Sequence, residues 1–403
     1  MLRKCARIPA KTDGCVMIDR RILTHFDFLL VFLIAPIIGL SFFLVNGFDS
    51  GKGLRELIYI FVGVVLFFVF FLIPFRQLSR SITIFYWFFI VMLFVIDLYG
   101  VVRLGAQRWI IIPGTGMSLQ PSEPMKIALI LMLANLIVHN PPPKGGYGLK
   151  DLAVFSFYIL LPVLLVARQP DLGSAIVMFL MGYGIIFVVG IQKRIVLWIL
   201  GLFIVLAPII YSSNLLTRWE YQAKRVQDFI ATTPSHQVQQ SLIAIGSAGW
   251  FGKSKENITQ TKFGFLPIPI TDIIFSYYVE RFGFVGALGL FAIYITLILH
   301  ILSFCLRDSR DYFLQVVSSG TAILLFVYMS VNIAMTVNFA PIVGIPLPIL
   351  SYGGSSFVTF MVLFGILENL LAFKFDFEYN SNPLNHLKRK KGPLAQLVRA
   401  LGS

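Results

Sequence analysis

Long apolar runs separated by short polar stretches make up most of this 403-residue chain. A helix that crosses a membrane needs roughly 20 mostly apolar residues. Ten segments qualify, and they are centred on residues 26–47, 57–75, 82–98, 124–139, 152–166, 173–189, 195–211, 272–305, 312–337 and 351–373. The pattern predicts an all-α integral membrane protein, built as a bundle of about ten transmembrane helices with one long loop at 214–271. Segment 152–166 is the shortest of the ten and the least typical of a full span.

The composition excludes an ordinary soluble enzyme. Apolar residues make up 57% of the chain and charged residues 13%, whereas soluble domains are about 45–50% apolar and about 25% charged. The three cysteines, Cys5, Cys15 and Cys305, form neither a CxxC pair nor a Cys/His cluster of zinc-ligand spacing. The sequence therefore indicates neither a disulfide framework nor a metal site.

The excess of basic residues indicates how the chain is oriented. The formal net charge is +14, but the basic residues flank apolar runs, so we interpret them as the ends of membrane helices and expect no nucleic-acid partner. An even number of spans places both tails on one side, and the positive-inside rule makes both basic tails cytoplasmic. The predicted organisation in the cell inner membrane is a tail at 1–25, a membrane domain at 26–373 and a tail at 374–403.

The two ends of the chain carry separate hypotheses. The first 25 residues contain no apolar core, so they do not resemble a cleaved signal peptide. Met17 is a second plausible translation start, and residues 1–16 are then a leader of no structural consequence. Residues 392–403 have no apolar face that connects to the rest, and they are either a mobile tail or not native.

Polar chemistry is concentrated on the side opposite to the tails. The extracytoplasmic loop 214–271 far exceeds the 12–15 residues or so beyond which loops are usually functional or disordered, and its aromatic residues argue against full disorder. Four shorter polar clusters are assigned to the same face, at 105–109, 120–126, 168–174 and 344–356. We therefore predict that the functional site faces the outside of the membrane.

Two of these clusters have a simple structural interpretation beside the functional one. Arg168 and Asp171 flank Pro170 between two spans, and a structural ion pair is the simpler interpretation. Residues 351–356 are either a glycine-rich helix entry or part of a broken segment that prolines 341, 346 and 348 favour. Such irregular backbone is tolerated at membrane depth only where it is buried in protein or lines a wet cavity.

The cluster 120–126 also has two interpretations. Pro121, Ser122 and Glu123 suit the first turn of a helix and need do no more than start the fourth span. Lys126 opposes this interpretation, because a cation in the first turn is unfavourable beside the helix dipole. Lys126 therefore requires a partner, which is either Glu123 or a bound anion.

Two carboxylates stand near the start of the eighth span. Asp272 or Thr271 is a plain helix cap in the simpler interpretation. Glu280 lies a little over two turns further on, roughly on the same face, where a carboxylate inside a span is costly and usually functional. Both acids would then face one cavity, with Arg108 and Lys126 supplying the charge to hold a phosphate. This arrangement suits transfer from a lipid diphosphate, and the residues alone leave a transporter open.

Several longer motifs occur in a fixed order between about residues 105 and 356. They are Gly105-Ala106-Gln107-Arg108-Trp109, Gln120-Pro121-Ser122-Glu123 with Lys126, Gln169-Pro170-Asp171-Leu172-Gly173-Ser174-Ala175, Gln240-Ser241 through Ser247 with Gly252-Lys253, Phe326-Val327-Tyr328 with Val331-Asn332-Ile333, and Val343 to Pro348 with Ser351 to Ser355. With these motifs the chain resembles the SEDS family (shape, elongation, division and sporulation), most closely its RodA branch. One motif departs from the family. A pattern like LPExHTD usually precedes the catalytic-type aspartate, but isoleucines stand here at 268 and 270, so a histidine proton shuttle is not carried over.

The resemblance implies a peptidoglycan glycosyltransferase that polymerises lipid II during cell elongation and rod-shape maintenance. The acceptor's sugar 4-hydroxyl would attack the anomeric carbon of the donor, and undecaprenyl diphosphate would leave. Asp272 would be the general base, while Arg108 and Lys126 would bind the diphosphate with Glu123 orienting Lys126. The remaining predicted substrate-binding residues are Gln120, Asp171, Lys253, Glu280 and Ser355.

The resemblance also implies a partner. The sequence holds no coherent set of penicillin-binding motifs, so crosslinking is expected from a class B penicillin-binding protein within the elongation machinery. A divalent cation, Mg²⁺ or Mn²⁺, is compatible with the lipid diphosphate, but no ligand cluster requires one and no other cofactor is expected. Three alternatives stay open: a lipid II flippase, a scaffold that works through its basic tails, and the septal, FtsW-like polymerase of the same family.

Overall fold

The computed structural model describes residues 26–99, 101–103, 106–111, 118–169, 171–192, 194–195, 236–254, 270–307 and 311–373. Within these residues, nine helices are long and apolar enough to cross a membrane. In chain order the helices are α1 (Phe28–Phe48), α2 (Ser50–Leu72), α3 (Ser79–Tyr99), α4 (Ser122–His139), α5 (Leu149–Arg168), α6 (Leu172–Val189), the shorter α7 (His236–Gly246), α8 (Ile274–Arg307), α9 (Tyr312–Thr336) and α10 (Gly354–Ala372).

These helices confirm the predicted all-α polytopic membrane fold. Nine of the ten predicted spans coincide with a long helix, and the tenth, predicted at 195–211, lies outside the described residues except for Ile195. The shortest predicted span becomes a helix of 20 residues, because Lys150, Asp151 and Arg168 extend its apolar core at the two ends. Both predicted tails lie outside the described residues.

A small antiparallel sheet, which the sequence analysis did not predict, lies between α3 and α4. The strand β1 (Val101–Arg103) pairs with β2 (Ala106–Ile111), and β2 pairs with β3 (Ser118–Leu119). Tryptophan and isoleucine at 109–111 favour an extended strand. Ile110 lies opposite Leu119, so β2 runs beside the residues that lead directly into α4.

The centre of the bundle is formed by its most buried helices. Helix α9 packs against α4, α6 and α8, and most side chains in the apolar stretches of α4 and α9 are buried. Helices that are apolar all round belong in such an interior. In contrast, α1, α2 and α3 keep most of their apolar side chains on the outer surface, as helices that face lipid do. Polar residues on α4 and α9 are therefore held away from the lipid.

The chain divides into two compact units. Phe28–Asn369 form the first unit, which contains every helix and strand given above except the last three residues of α10. The two chain ends, Met1–Asp27 and Leu370–Ser403, form the second, of which residues 26–27 and 370–373 are described.

Candidate active site

Lys126 lies in a buried ionic cluster at the start of α4. Its side chain is 0% exposed, and its Nζ lies 2.6 Å from Glu123 Oε1. The ammonium also donates a hydrogen bond to the hydroxyl of Tyr328 on α9. That hydroxyl in turn donates to Glu123 Oε1 at 3.1 Å. The predicted partner of Lys126, Glu123, is therefore confirmed, and the cluster satisfies the requirement that a buried charge be paired and hydrogen-bonded.

The residues just before α4 also contact the start of α6. Gln120 Nε2 donates to Asp171 Oδ2 at 2.7 Å, and both side chains are buried. Asp171 Oδ1 accepts from the backbone N–H of Ser174 at 3.2 Å, so Asp171 caps α6. The ion pair expected between Arg168 and Asp171 was wrong. Arg168 is largely exposed and its Nε lies 3.1 Å from Asp97, because the turn before α6 directs Asp171 inward.

Asp272 lies in a turn at residues 270–273, before α8 begins at Ile274. The residue directly before the helix is Ile273. The backbone carbonyl of Asp272 accepts a hydrogen bond from Asn332 Nδ2 at 2.9 Å. A Cβ atom built on Gly344 would lie 3.5 Å from Asp272 Oδ2. The carboxylate therefore lies beside the backbone of residue 344.

The segment between α9 and α10 is irregular, as its prolines predicted, and it is buried over residues 347–351. Backbone and hydroxyl groups join it to the turn before α8. Tyr352 N donates to Ile270 O at 2.8 Å, and Ser351 Oγ donates to Thr271 O at 2.8 Å. On its other side, a Cβ atom on Gly173 of α6 would lie 2.8 Å from Val343 O. The motifs at 169–175, 270–272 and 343–352 therefore meet at one place.

Glu280 and Lys253 meet through the backbone at a break in α8. Gly283 has φ 70° and ψ −167°, which interrupts the helix. The turn at 249–253 fills the break, because Lys253 N donates to Glu280 O at 2.9 Å and Phe284 N donates to Gly249 O at 3.0 Å. Lys253 Nζ donates to Ser247 Oγ at 2.7 Å. The large-loop motif is therefore joined to α8 near Glu280.

Asp272 and Glu280 were predicted to lie on one helix face, but Asp272 precedes the helix that contains Glu280. Helical spacing relates residues only within a helix, and α8 begins at Ile274, after Asp272. Glu280 is 0% exposed on the second turn of α8. Its burial agrees with the expectation that a carboxylate within a span is surrounded by protein.

Two further predicted site residues are placed by their elements. Arg108 lies on β2, whose neighbour β3 leads into Gln120. Ser355 lies in the first turn of α10, directly after the irregular segment. Both elements therefore border segments that carry other predicted site residues.

The sequence analysis missed the roles of Tyr328 and Asn332, although both belong to matched motifs. They lie four residues apart on α9 and hence on one face of the helix. Tyr328 contacts the Lys126 cluster, while Asn332 contacts Asp272 and donates to Ile345 O at 2.8 Å. The signal that would have identified them is the presence of polar residues at helical spacing in a largely apolar span. In the part of the chain that the structure describes, no group of three or more His, Cys, Asp or Glu side chains is placed to hold a metal ion.

Comparison with known proteins shows what this chain is similar to. The family model for cell cycle proteins, which covers FtsW, RodA and SpoVE, matches residues 19–375. The peptidoglycan glycosyltransferase MrdB of Helicobacter pylori is 51% identical over 386 residues, which are 96% of this chain and 100% of that protein. The protein of the same name from Escherichia coli K12 is 36% identical over 330 residues, which are 81% of this chain and 87% of that protein.

Solved structures agree with these matches. A chain from a peptidoglycan synthase complex that coordinates polymerization and crosslinking is 27% identical, with a TM-score of 0.73 over 87% of this chain and 98% of that chain. The crystal structure of the rod shape determining protein RodA of Thermus thermophilus is 26% identical, with a TM-score of 0.63 and the same coverage. With its motifs, its fold and a family match over most of its length, the chain belongs to the SEDS family, the cell cycle proteins of the FtsW, RodA and SpoVE type.

Proposed function

We propose that this chain polymerises lipid II into glycan strands for growth of the cell wall, with Asp272 as the general base. The chain is a peptidoglycan glycosyltransferase, since relatives of that name match it over most of their length. Those relatives and the rod-shape-determining structural neighbour support a role in elongation. The catalytic residues, the substrate and the partner protein are what we propose.

In the proposed reaction, the 4-hydroxyl of the acceptor sugar attacks the anomeric carbon of the donor chain. A new carbon–oxygen bond forms while the bond from the anomeric carbon to the diphosphate breaks, and undecaprenyl diphosphate leaves with the electron pair. Asp272 takes the hydroxyl proton. General-base catalysis of this kind contributes about 10²–10⁴-fold to the rate.

The observation that supports this proposal is the set of contacts around Asp272. The backbone carbonyl of Asp272 is fixed by Asn332, and its carboxylate lies beside Gly344, where three of the family's motifs meet. A carboxylate whose chain segment is held in this way is suited to proton transfer, because catalysis depends on a fixed geometry of the reacting groups.

Lys126 and Arg108 bind the diphosphate in this proposal. The support for Lys126 is its buried ammonium, which Glu123 and Tyr328 hold in one place. A fixed cation in a site with little water offsets the charge that develops on a leaving group more strongly than the same cation in solution. Gln120, Asp171, Lys253, Glu280 and Ser355 remain predicted substrate contacts. A divalent cation, Mg²⁺ or Mn²⁺, would supply further charge neutralisation for the diphosphate.

The proposal includes a location and a partner. The chain is a multi-pass membrane protein, and we place both termini in the cytoplasm and the site on the outer face of the inner membrane, because of the basic tails. A structural neighbour comes from a complex that coordinates polymerization and crosslinking. This supports a transpeptidase partner for the present chain, which we propose to be a class B penicillin-binding protein of the elongation machinery.

The test is polymerisation of labelled lipid II in liposomes by the full chain co-purified with its transpeptidase partner. Asp272→Asn keeps the shape of the side chain and removes the base, so turnover should fall at least about 100-fold. Asp151→Asn, at the third position of α5, is the matched control and should polymerise as the wild type does. Equal glycan from Asp272→Asn and the wild type would remove Asp272 from the role of base.

A further inference from the structure

Asn332 is buried on α9, with a relative exposure of 0%. Its Nδ2 donates to the carbonyl oxygen of Asp272 at 2.9 Å and to that of Ile345 at 2.8 Å. Both partners are acceptors only, so the NH₂ group must face them and both of its N–H bonds are used. Turning the amide around would bring its oxygen against two carbonyl oxygens.

The two carbonyls belong to the two chain segments that lie around the Asp272 carboxylate. Asp272 itself is in the turn before α8, and Ile345 follows Gly344, whose Cβ position is 3.5 Å from Asp272 Oδ2. Neither segment is part of a helix or a sheet, so regular backbone hydrogen bonds do not fix their separation. Buried carbonyls of irregular backbone need partners, and here one amide serves both. Asn332 therefore links the backbone at Asp272 directly to the backbone at Ile345, in addition to the bonds by which Tyr352 N and Ser351 Oγ hold residues 270 and 271.

Asn332 also relates Asp272 to the Lys126 cluster. Tyr328, which contacts Lys126 and Glu123, lies one turn earlier on the same face of α9. Four residues of helix correspond to a rise of about 6 Å. Helix α9 is thus a rigid element that contacts the ionic cluster with one side chain and the backbone of Asp272 with the next.

We propose that Asn332 is a positioning residue of the glycosyltransferase: it fixes the Asp272 carboxylate against the Gly344 backbone and at a set distance from Lys126. This inference rests on the proposed role of Asp272. Asn332 acts through Asp272 and the 343–345 segment, so its removal should lower kcat while leaving the binding of lipid II nearly unchanged. A displacement of about 1 Å at a reacting group is enough to reduce turnover by about 100-fold.

The experiment measures kcat and KM for lipid II polymerisation by the full chain with its transpeptidase partner. Asn332→Leu keeps the volume and removes both hydrogen bonds, and it should lower kcat by about 10- to 100-fold with KM changed by less than about 3-fold. Asn369→Leu is the matched control, because Asn369 Nδ2 makes the same kind of buried bond to Phe71 O at 2.6 Å in another part of the bundle. It should leave kcat near the wild-type value.

A double-variant cycle tests whether Asn332 works through Asp272. If it does, adding Asn332→Leu to Asp272→Asn should produce almost no further loss, since residues that act as one unit are not additive. A purely structural effect would multiply the two losses and overturn the proposal. If Asn332→Leu does not fold, Asn332→Asp takes its place: it has the same shape, and when protonated it serves only one of the two carbonyls, so its loss of kcat should be intermediate.

The outcomes separate this proposal from the one on which it rests. Full turnover by Asn332→Leu, together with an inactive Asp272→Asn, would overturn only the role of Asn332. Full turnover by Asp272→Asn would overturn the base assignment and the positioning role together.

Discussion

Replacing Lys126 by methionine should destabilise the protein, and a second change, Glu123→Gln, should restore most of the stability but none of the activity. Lys126→Met keeps an unbranched side chain of similar length, so it leaves little cavity. It does leave the Glu123 carboxylate, 5% exposed, with the Tyr328 hydroxyl as its remaining donor in the cluster. Breaking a buried ion pair by removing one partner costs about 3–5 kcal/mol of unfolding free energy.

The second substitution removes the cause of that cost. The glutamine that replaces Glu123 in the double variant is neutral, and its amide oxygen still accepts from the Tyr328 hydroxyl. Neutral hydrogen bonds contribute about 0.5–1.5 kcal/mol each, so the double variant should unfold within about 1.5 kcal/mol of the wild type. Its polymerisation rate should nevertheless stay at least about 100-fold low, because the cation that offsets charge on the leaving diphosphate is gone.

Two assays on the same preparations check this reasoning. Denaturant titration in micelles gives the unfolding free energy, and polymerisation of labelled lipid II gives the rate. Lys150→Met, which changes an exposed lysine in the first turn of α5, controls for the loss of a positive charge and should alter stability by less than about 0.5 kcal/mol. A double variant as unstable as Lys126→Met would show that the charge of Glu123 is not the cost. A double variant that polymerises normally would exclude Lys126 from the reaction.

Two further substitutions test the scaffold. Gly252→Ala should lower the unfolding free energy by at least about 1–3 kcal/mol and speed proteolysis at 249–253, because Gly252 has φ +78° and its added Cβ would overlap the carbonyl oxygen of Arg281. The control is Gly249→Ala, which has φ +63° and open space around its Cβ position, so it should show the smaller effect of backbone strain alone. Equal protease resistance of Gly252→Ala and the wild type would contradict this prediction. Glu56→Gln should raise the unfolding free energy measured by denaturant titration, because a neutral amide avoids the cost of burying a charge. The buried Glu56 carboxylate accepts from Ser41 Oγ at 3.0 Å, and its second oxygen has no partner among the described residues. A lower unfolding free energy would contradict this prediction.

The sequence was sufficient to predict the features that depend on local physics. An apolar run long enough to span a membrane forms a helix whatever its neighbours are, since backbone hydrogen bonds have no other partners in lipid. The pair of Glu123 and Lys126 was predictable for a similar reason, because three residues along a helix are always neighbours. The irregular segment around Pro341, Pro346 and Pro348 followed from the missing N–H groups of proline.

Contacts between distant segments were not predictable from one sequence. Gln120 and Asp171 are 51 positions apart, and Asn332 and Asp272 are 60 apart. The first pair forms because α4 packs against α6, and the second because α9 packs against α8. The shared face of Asp272 and Glu280 was argued from helical spacing, and it failed because the helix begins two residues after Asp272. Helix boundaries depend on contacts such as those of residues 270–272 with the irregular segment, which local pattern does not reveal.

Those contacts also explain how the chain tolerates isoleucine at 270, where the family pattern usually has histidine. Three consecutive carbonyls are each held from outside the turn: Ile270 O by Tyr352 N at 2.8 Å, Thr271 O by Ser351 Oγ at 2.8 Å, and Asp272 O by Asn332 Nδ2 at 2.9 Å. The bonds are made by the backbone of the turn, so they do not depend on the side chain at 270. The position of Asp272 therefore does not depend on whether the side chain at 270 can be protonated. Isoleucine in place of histidine removes a proton carrier without moving the proposed base.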